Sequence, residues 1–320
     1  MMTELFPLEW ITSAEQRISS HIRGTPLTHD VKRGIFMKWE NQQVTGSFKA
    51  RGAFNKILSL EPWEYRQGIV AASAGNHGQG VALAGRLVNA PVTVFTSQAA
   101  SPLKIEKMRA IGAEVILVPG GYEQAEAEGI SFAAEHNRTW VSPYNDAQVI
   151  AGQATIGLEI INQKGLHPQT TVLVPVGGGG LLAGIAAALS AGSVPLRILG
   201  VQAKASAFMH GLFTRDSQEN IPDLPTLADG LSGPVEKDSV TIPIIKALVD
   251  DILLVEEEDI SRAVAYAYHI YGEVIEGSAA VGLAAVLTGS VKPPAVVVIS
   301  GGNILPDWHA QVCARYKDLS

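Results

Sequence analysis

The chain has 320 residues, 47% of them hydrophobic and 17% charged, a composition that supports one large core or two lobes. Its 24 basic and 31 acidic residues give a formal charge of −7, with no Lys/Arg-rich run to offset it, which excludes nucleic acid as a partner. Cys313 is the only cysteine, which excludes a disulfide framework and a cysteine-based zinc site and fits a reducing cytoplasm.

The opening stretch, MMTELFPLEW, carries acids and lacks the basic-then-apolar pattern of a signal peptide, so a cytoplasmic location is expected. Apolar, β-branched runs predict strands at GIFMKW from Gly34, GIVAAS from Gly68, VTVFT from Val92 and EVILV from Glu114. Further strands are predicted at TVLVPV from Thr171, RILGVQ from Arg197, ILLV from Ile252 and AVVVIS from Ala295. Between them lie helical patterns at Leu103–Ile111, Ala147–Asn162, Ile242–Leu248 and Ile260–Tyr271. This alternation implies an α/β protein of two lobes, each an open, mainly parallel sheet covered by helices. SLEPWE near Ser59 and SPYNDA near Ser142 are the expected crossings: residues 1–62 and 147–320 form a large domain, and 63–146 a small inserted one. The apolar run from Val172 to Leu189 reaches membrane-span length. Pro175 and four consecutive glycines instead make it a buried strand, a turn and a buried helix, so no membrane partner is expected.

That glycine turn, Gly177 to Gly180, suits an anion. Glycine lets backbone approach a ligand closely, and the N–H groups of a helix start bind negative charge. A nucleoside-triphosphate loop needs Lys-Ser or Lys-Thr next, and Leu181 and Leu182 stand there instead. A dinucleotide fingerprint needs a third glycine, and Leu182 or Ala183 occupies its place; the following strand ends in Gln202 rather than an acid. A site for one terminal phosphate remains, with a plain tight turn as the alternative.

In GSFKAR, Gly46 and Ser47 read as a turn residue and an N-cap, which places Lys49 in the first helical turn. The helix dipole there disfavours an ammonium, and burial favours the neutral amine that attacks carbonyls and takes protons. A solvated lysine on a helix face is the alternative, and neighbouring Phe48 reads equally as core. SAGNHGQG, from Ser73, follows a strand and starts a helix at Asn76 and His77, a turn suited to a carboxylate. The alternative there is a capping Asn76 and a surface His77. AVVVISGGN ends a strand in Ser300, where open α/β sheets place ligands, and Ser300 can hydrogen-bond a ring nitrogen or simply open a turn. Together these residues supply a Schiff-base lysine, a monophosphate cradle, a carboxylate loop and a polar partner for a heterocycle. Pyridoxal phosphate carrying an amino acid requires that set.

These segments, with NDAQVIAGQATIGLEI, LADGL (Leu227 to Leu231) and EGSAAVGLAAVL from Glu276, occur in the order found in the threonine/serine dehydratases. The chain resembles that family of pyridoxal-phosphate enzymes, of the tryptophan-synthase-β-like fold, over most of its length. The resemblance implies pyridoxal 5'-phosphate as cofactor. It also implies α,β-elimination of water from a β-hydroxy amino acid of the L-threonine or L-serine type, giving a 2-oxo acid and ammonia. By the same resemblance Lys49 carries the cofactor and acts as the α-proton base, and Gly177, Gly178, Gly179, Gly180 and Leu181 bind its phosphate. Asn76 bonds its phenolic oxygen, Ser300 partners its pyridine nitrogen, Phe48 flanks its ring, and Glu276 lies near it. Ser73, Asn76, His77 and Gln153 take the substrate carboxylate. A homodimer or homotetramer is implied in the same way.

The chain departs from its relatives in four places. Ala74 stands where serine-racemising relatives carry a second serine, so elimination with little racemisation is expected. VQAKASAF, with Gln202, Ser206 and Phe208, lacks the acids with which many relatives bind a divalent cation, so no metal is expected there. The segment between Leu27 and Glu40 is several residues shorter than usual, and a small helix is expected to be missing. The chain ends soon after SGGN, so no regulatory domain is expected. Two other readings stay open: the same chemistry on 3-hydroxyaspartate, phenylserine or a hydroxyectoine-degradation intermediate, and a non-catalytic protein that binds the cofactor or another ligand.

Overall fold

The computed structural model describes residues 6–162 and 166–318, so the first half of the N-terminal stretch read above lies outside the described residues. The chain begins with α1 (Leu8–Ile18), β1 (Leu27–Asp30), β2 (Ile35–Trp39), α2 (Lys49–Leu58) and α3 (Pro62–Gln67). It continues through β3 (Ile69–Ala72), α4 (Asn76–Leu87), β4 (Val92–Ser97), α5 (Pro102–Ile111), β5 (Glu114–Val118), α6 (Tyr122–Glu135) and β6 (Thr139–Trp140). Then come α7 (Ala147–Ile161), β7 (Thr171–Pro175), α8 (Gly180–Ser190), β8 (Arg197–Ala203), α9 (Phe208–Arg215) and α10 (Thr241–Leu248). The remaining elements are β9 (Asp251–Val255), α11 (Glu257–Tyr271), α12 (Gly277–Leu287), β10 (Ala295–Ile299) and α13 (Pro306–Arg315).

The strands make two sheets, in the orders β1-β2-β10-β7-β8-β9 and β5-β4-β3-β6. Every pairing is parallel except β1 with β2. Apolar runs such as Thr171–Pro175 and Ala295–Ile299 are buried throughout, as sheets covered on both faces require. Each predicted strand forms. Two strands were not predicted: β1, with the polar sequence LTHD on a sheet edge, and β6, only two residues long.

The register places the site. Ala295 pairs with both Ile35 and Thr171, so β2, β10 and β7 run parallel and in step. Their carboxyl ends therefore reach one edge of the sheet, where Ser300 leaves β10 and the glycine run leaves β7. The carboxyl end of β3 likewise feeds Ser73 and the start of α4.

Helices α2, α7 and α8 pack closely because glycines face their neighbours. A Cβ on Gly152 would sit 2.6 Å from the Cα of Gly52, and one on Gly184 would sit 2.6 Å from the carbonyl oxygen of Ile150. Larger residues at either place would push the helices apart. Among the described residues no helix is long and apolar enough to cross a membrane.

Candidate active site

The segment before Lys49 is pinned to the SGGN segment by backbone hydrogen bonds. The Phe48 N–H donates to the Ser300 carbonyl (3.0 Å), and the Gly302 N–H donates to that of Gly46 (2.9 Å). Ser47 bridges antiparallel to Gly301 between them. This corrects the N-cap reading of Ser47: its side chain caps nothing, and Phe48, with helical backbone, immediately precedes α2. Tertiary pairing with Gly301 won over local capping. The buried Ser47 Oγ is left without a hydrogen-bond partner.

Lys49 is the first residue of α2. Its Nζ donates to the carbonyl of Pro143 (2.9 Å) and lies 5.1 Å from the centroid of the Phe48 ring. Burial lowers the amine to about 8, against the partial opposition of the Glu276 carboxylate. The basicity of this lysine is therefore lowered, as expected, and burial is the main cause.

The residue after Pro143 links the amine to the glycine run. A Cβ on Gly178 would lie 2.4 Å from the Tyr144 ring, and one on Gly180 would lie 2.9 Å from the Tyr144 Cα. Gly179 has a left-handed backbone (φ 92°), which glycine adopts without strain, and Gly180 opens α8 with Leu181 buried behind it. The first N–H groups of α8 have no partner within the helix, and its dipole is positive there. The LADGL segment closes the other side, with Leu231 against Gly177, and the Ser278 hydroxyl accepts from the Gly230 N–H (2.9 Å).

Asn76 is the first residue of α4, and its side chain points across the cleft rather than capping the helix. Its Nδ2 donates to Glu276 Oε1 (2.7 Å), and its Oδ1 accepts from Asn303 Nδ2 (2.8 Å). Glu276 is buried, and its carboxyl is pushed up to about 7, first by burial and then by Asp229, while Lys104, the Asn76 bond and Lys49 oppose the rise. His77 is buried, which removes the surface alternative. Its Nε2 lies 2.9 Å from the Val141 carbonyl, and burial, then the Lys49 ammonium, holds the ring down at about 3, hence neutral. Ser73 Oγ accepts from the Gly75 N–H (3.0 Å), and Ser73 and Glu276 both line a cavity of about 460 Å3. Gln153 sits deeper, in the seam of α2 and α7: its Oε1 accepts from the Gly52 N–H (3.2 Å), and its Nε2 is buried without a partner. Ser300 is buried at the end of β10, one residue from the Ser47–Gly301 bridge.

The structure thus gathers Phe48, Lys49, Ser73, Asn76, Glu276 and Ser300 into one cleft between the two sheets. The glycine run joins them through Tyr144. Pyridoxal phosphate fits these residues: a buried amine of lowered basicity, and, for the phosphate, a helix start whose glycines carry no side chain of their own. At the place read as lacking cation ligands, Gln202 Oε1 accepts from the His210 N–H (3.1 Å), and the Ser206 hydroxyl donates to Asp223 (2.7 Å).

A buried ionic network beside Lys49 is absent from the sequence reading. The fully buried Arg51 donates through Nε and Nη2 to the two oxygens of Glu40 (2.8 Å each), and through Nη1 to Glu159 (2.7 Å) and Thr155 (3.1 Å). Lys38 pairs with the other oxygen of Glu159 and donates to the Thr25 carbonyl (2.7 Å). Two cations and two anions here hold α2 to β2 and α7. The available signal was a lone charge inside an apolar run: Lys38 in GIFMKW and Glu159 in TIGLEII.

A family profile described as "Pyridoxal-phosphate dependent enzyme" matches residues 18–302. An L-threonine ammonia-lyase of Thermotoga maritima is 40% identical over 308 residues, covering 94% of this chain and 76% of that protein. Among solved structures, the processed form of threonine deaminase isoform 2 from Solanum lycopersicum superposes with a TM-score of 0.88 at 29% identity, covering 97% of this chain and 88% of that one. Maize serine racemase superposes with a TM-score of 0.87 at 29% identity, covering 97% of each chain. With the profile matching most of its length, the chain belongs to the pyridoxal-phosphate-dependent enzymes.

Proposed function

We propose that the chain is an ammonia-lyase that removes water from a β-hydroxy amino acid of the L-threonine or L-serine type, leaving an enamine that water then hydrolyses to a 2-oxo acid and ammonia. The observation that carries this reading is Lys49, a buried amine lowered to about 8 at the head of α2 in a cleft with an anion-binding turn. The similarity to an L-threonine ammonia-lyase supports the reaction class. In this reading residues 63–146 form the small domain that carries the asparagine loop, and the enzyme works in the cytoplasm as a homodimer or homotetramer.

Bound pyridoxal phosphate supplies an electron sink for negative charge at the substrate's α-carbon. The chain supplies the rest. Lys49 would hold the cofactor through its amine and would take the substrate's α-proton. The N–H groups from Gly177 to Leu181 hold the phosphate. Asn76 would bond the cofactor's phenolic oxygen, Ser300 would partner its ring nitrogen, and Phe48 would flank its ring. Ser73, the N–H groups of Asn76 and His77, and Gln153 orient the substrate carboxylate. His77, held neutral chiefly by burial, adds no charge beside Lys49.

The test is 2-oxo-acid release from a panel of 3-hydroxy amino acids by cofactor-loaded protein. Release from L-threonine or L-serine is expected; a loaded protein that releases nothing from any member contradicts the reading. Two further results are expected. The rate at which cofactor-free protein acquires its covalent cofactor rises with pH with a midpoint near 8, because the amine reacts only when neutral. A midpoint at the ordinary lysine value of 10.5 contradicts this. With Ala74 in the carboxylate loop, L-serine gives 2-oxo acid with little D-serine. Chiral chromatography of the remaining serine checks it, and D-serine formed as fast as the 2-oxo acid overturns it.

A further inference from the structure

Helix α5 of the four-stranded-sheet unit sends two lysines across the cleft. Lys104 Nζ lies 3.2 Å from Asp229 Oδ2, in the LADGL segment, and Lys107 Nζ lies 3.1 Å from Asn303 Oδ1. Lys107 thereby holds the asparagine that bonds Asn76. Lys104 is placed differently. Its stem lies over Gly75, in the middle of the carboxylate loop: a Cβ on Gly75 would be 3.0 Å from Lys104 Cδ and 3.7 Å from Nζ. Lys104 lines the same cavity as Ser73 and Glu276, and its side chain is only 18% exposed, whereas Asp229 is 64% exposed. The wall of the cavity therefore carries a cation beside the carboxylate loop and carboxyls at Asp229 and Glu276, a charge pattern that complements a zwitterion.

We propose that Lys104 is a recognition residue for the α-carboxylate of the amino-acid substrate, held by Asp229 in the ligand-free chain and transferred to the carboxylate when the substrate enters. The inference rests on the reading that this cleft takes an amino acid. A largely buried lysine so placed strengthens carboxylate binding by a charge-assisted bond and attracts the anion toward the helix start of α4. The exposed Asp229 is the partner that water most readily replaces, so the exchange exposes no buried charge.

The test compares L-alanine with L-alaninamide, two amino compounds that lack a leaving group and differ in the carboxylate charge. Binding of each to the cofactor-loaded protein is measured by calorimetry for the parent, Lys104→Met, Lys104→Arg and a charge-exchanged Lys104→Glu/Asp229→Lys double variant. The parent is expected to prefer L-alanine. Lys104→Met is expected to narrow that preference by roughly ten-fold or more, the loss for a charged hydrogen bond, and Lys104→Arg to retain it. The exchanged pair restores a bridge across the cleft but puts an anion at the loop, so it is expected to bind L-alanine as poorly as Lys104→Met. Recovery of L-alanine preference in the exchanged pair, or an unchanged preference in Lys104→Met, overturns the proposal and leaves Lys104 as a strut. Calorimetry needs no turnover. A parent that prefers L-alanine yet releases no 2-oxo acid therefore refutes the reaction assignment and not this role, whereas a parent that binds neither compound refutes both.

Discussion

Lys49→Ala is expected to lower 2-oxo-acid formation by about 10⁴-fold, the upper end of what loss of a positioned acid-base group produces, while the protein stays folded. The Lys49 amine, at the head of α2 and linked to the glycine run through Pro143 and Tyr144, is placed to serve both as covalent anchor and as proton acceptor. Its neighbours do not replace it. His77 is held neutral at about 3 with Nε2 at the Val141 carbonyl, and the Glu276 carboxyl is engaged by Asn76. Stability responds differently. Burial disfavours the ammonium form of Lys49, and alanine suits the first turn of a helix, so the melting temperature is expected to hold or rise. Steady-state assay and thermal melting of the same preparation read both effects. Activity within ten-fold of the parent contradicts the assignment.

Arg51→Met carries the largest expected stability loss, about 3–5 kcal/mol, because it strands a buried carboxylate. Glu40 is fully buried and receives both of its ionic bonds from Arg51; without them the Thr25 hydroxyl is its remaining side-chain partner. Glu159 is less affected, since Lys38 still pairs with it. The guanidinium is held firmly charged by these two acids even against its own burial. Chemical denaturation measures the loss. Converting the partner as well, in Arg51→Met/Glu40→Leu, removes both charges and is expected to recover part of the stability. A single variant that loses less than about 1 kcal/mol contradicts the structural importance of the network. Arg51 is two residues from Lys49 on the same helix, so turnover in the single variant is also expected to fall through displacement of α2.

The parts of the site that depend on residue type were legible in the sequence. A lysine at a helix head, a tandem glycine turn after an apolar strand, and a serine at a strand's carboxyl end each state a chemical need without reference to distant chain. The strands from Thr171 and Ala295 were legible for a similar reason: burial on both faces leaves an uninterrupted apolar run. What escaped depends on distant partners. Ser47 has the composition of an N-cap, and only its pairing with Gly301 shows otherwise. The Arg51–Glu159 bond spans 108 positions, and the Lys104–Asp229 bond spans 125, so no local pattern encodes either. β1 escaped because an edge strand with exposed Thr28 and His29 lacks the apolar signature of its neighbours.

The central claim is that one buried amine, Lys49, bonds covalently to the phosphorylated aldehyde held at the glycine turn. Reduction of the cofactor-loaded protein with borohydride, followed by proteolysis and mass spectrometry, tests it most directly. The account predicts a single pyridoxyl-modified site at Lys49, in the peptide that contains GSFKAR; modification at another lysine, or at none, contradicts it.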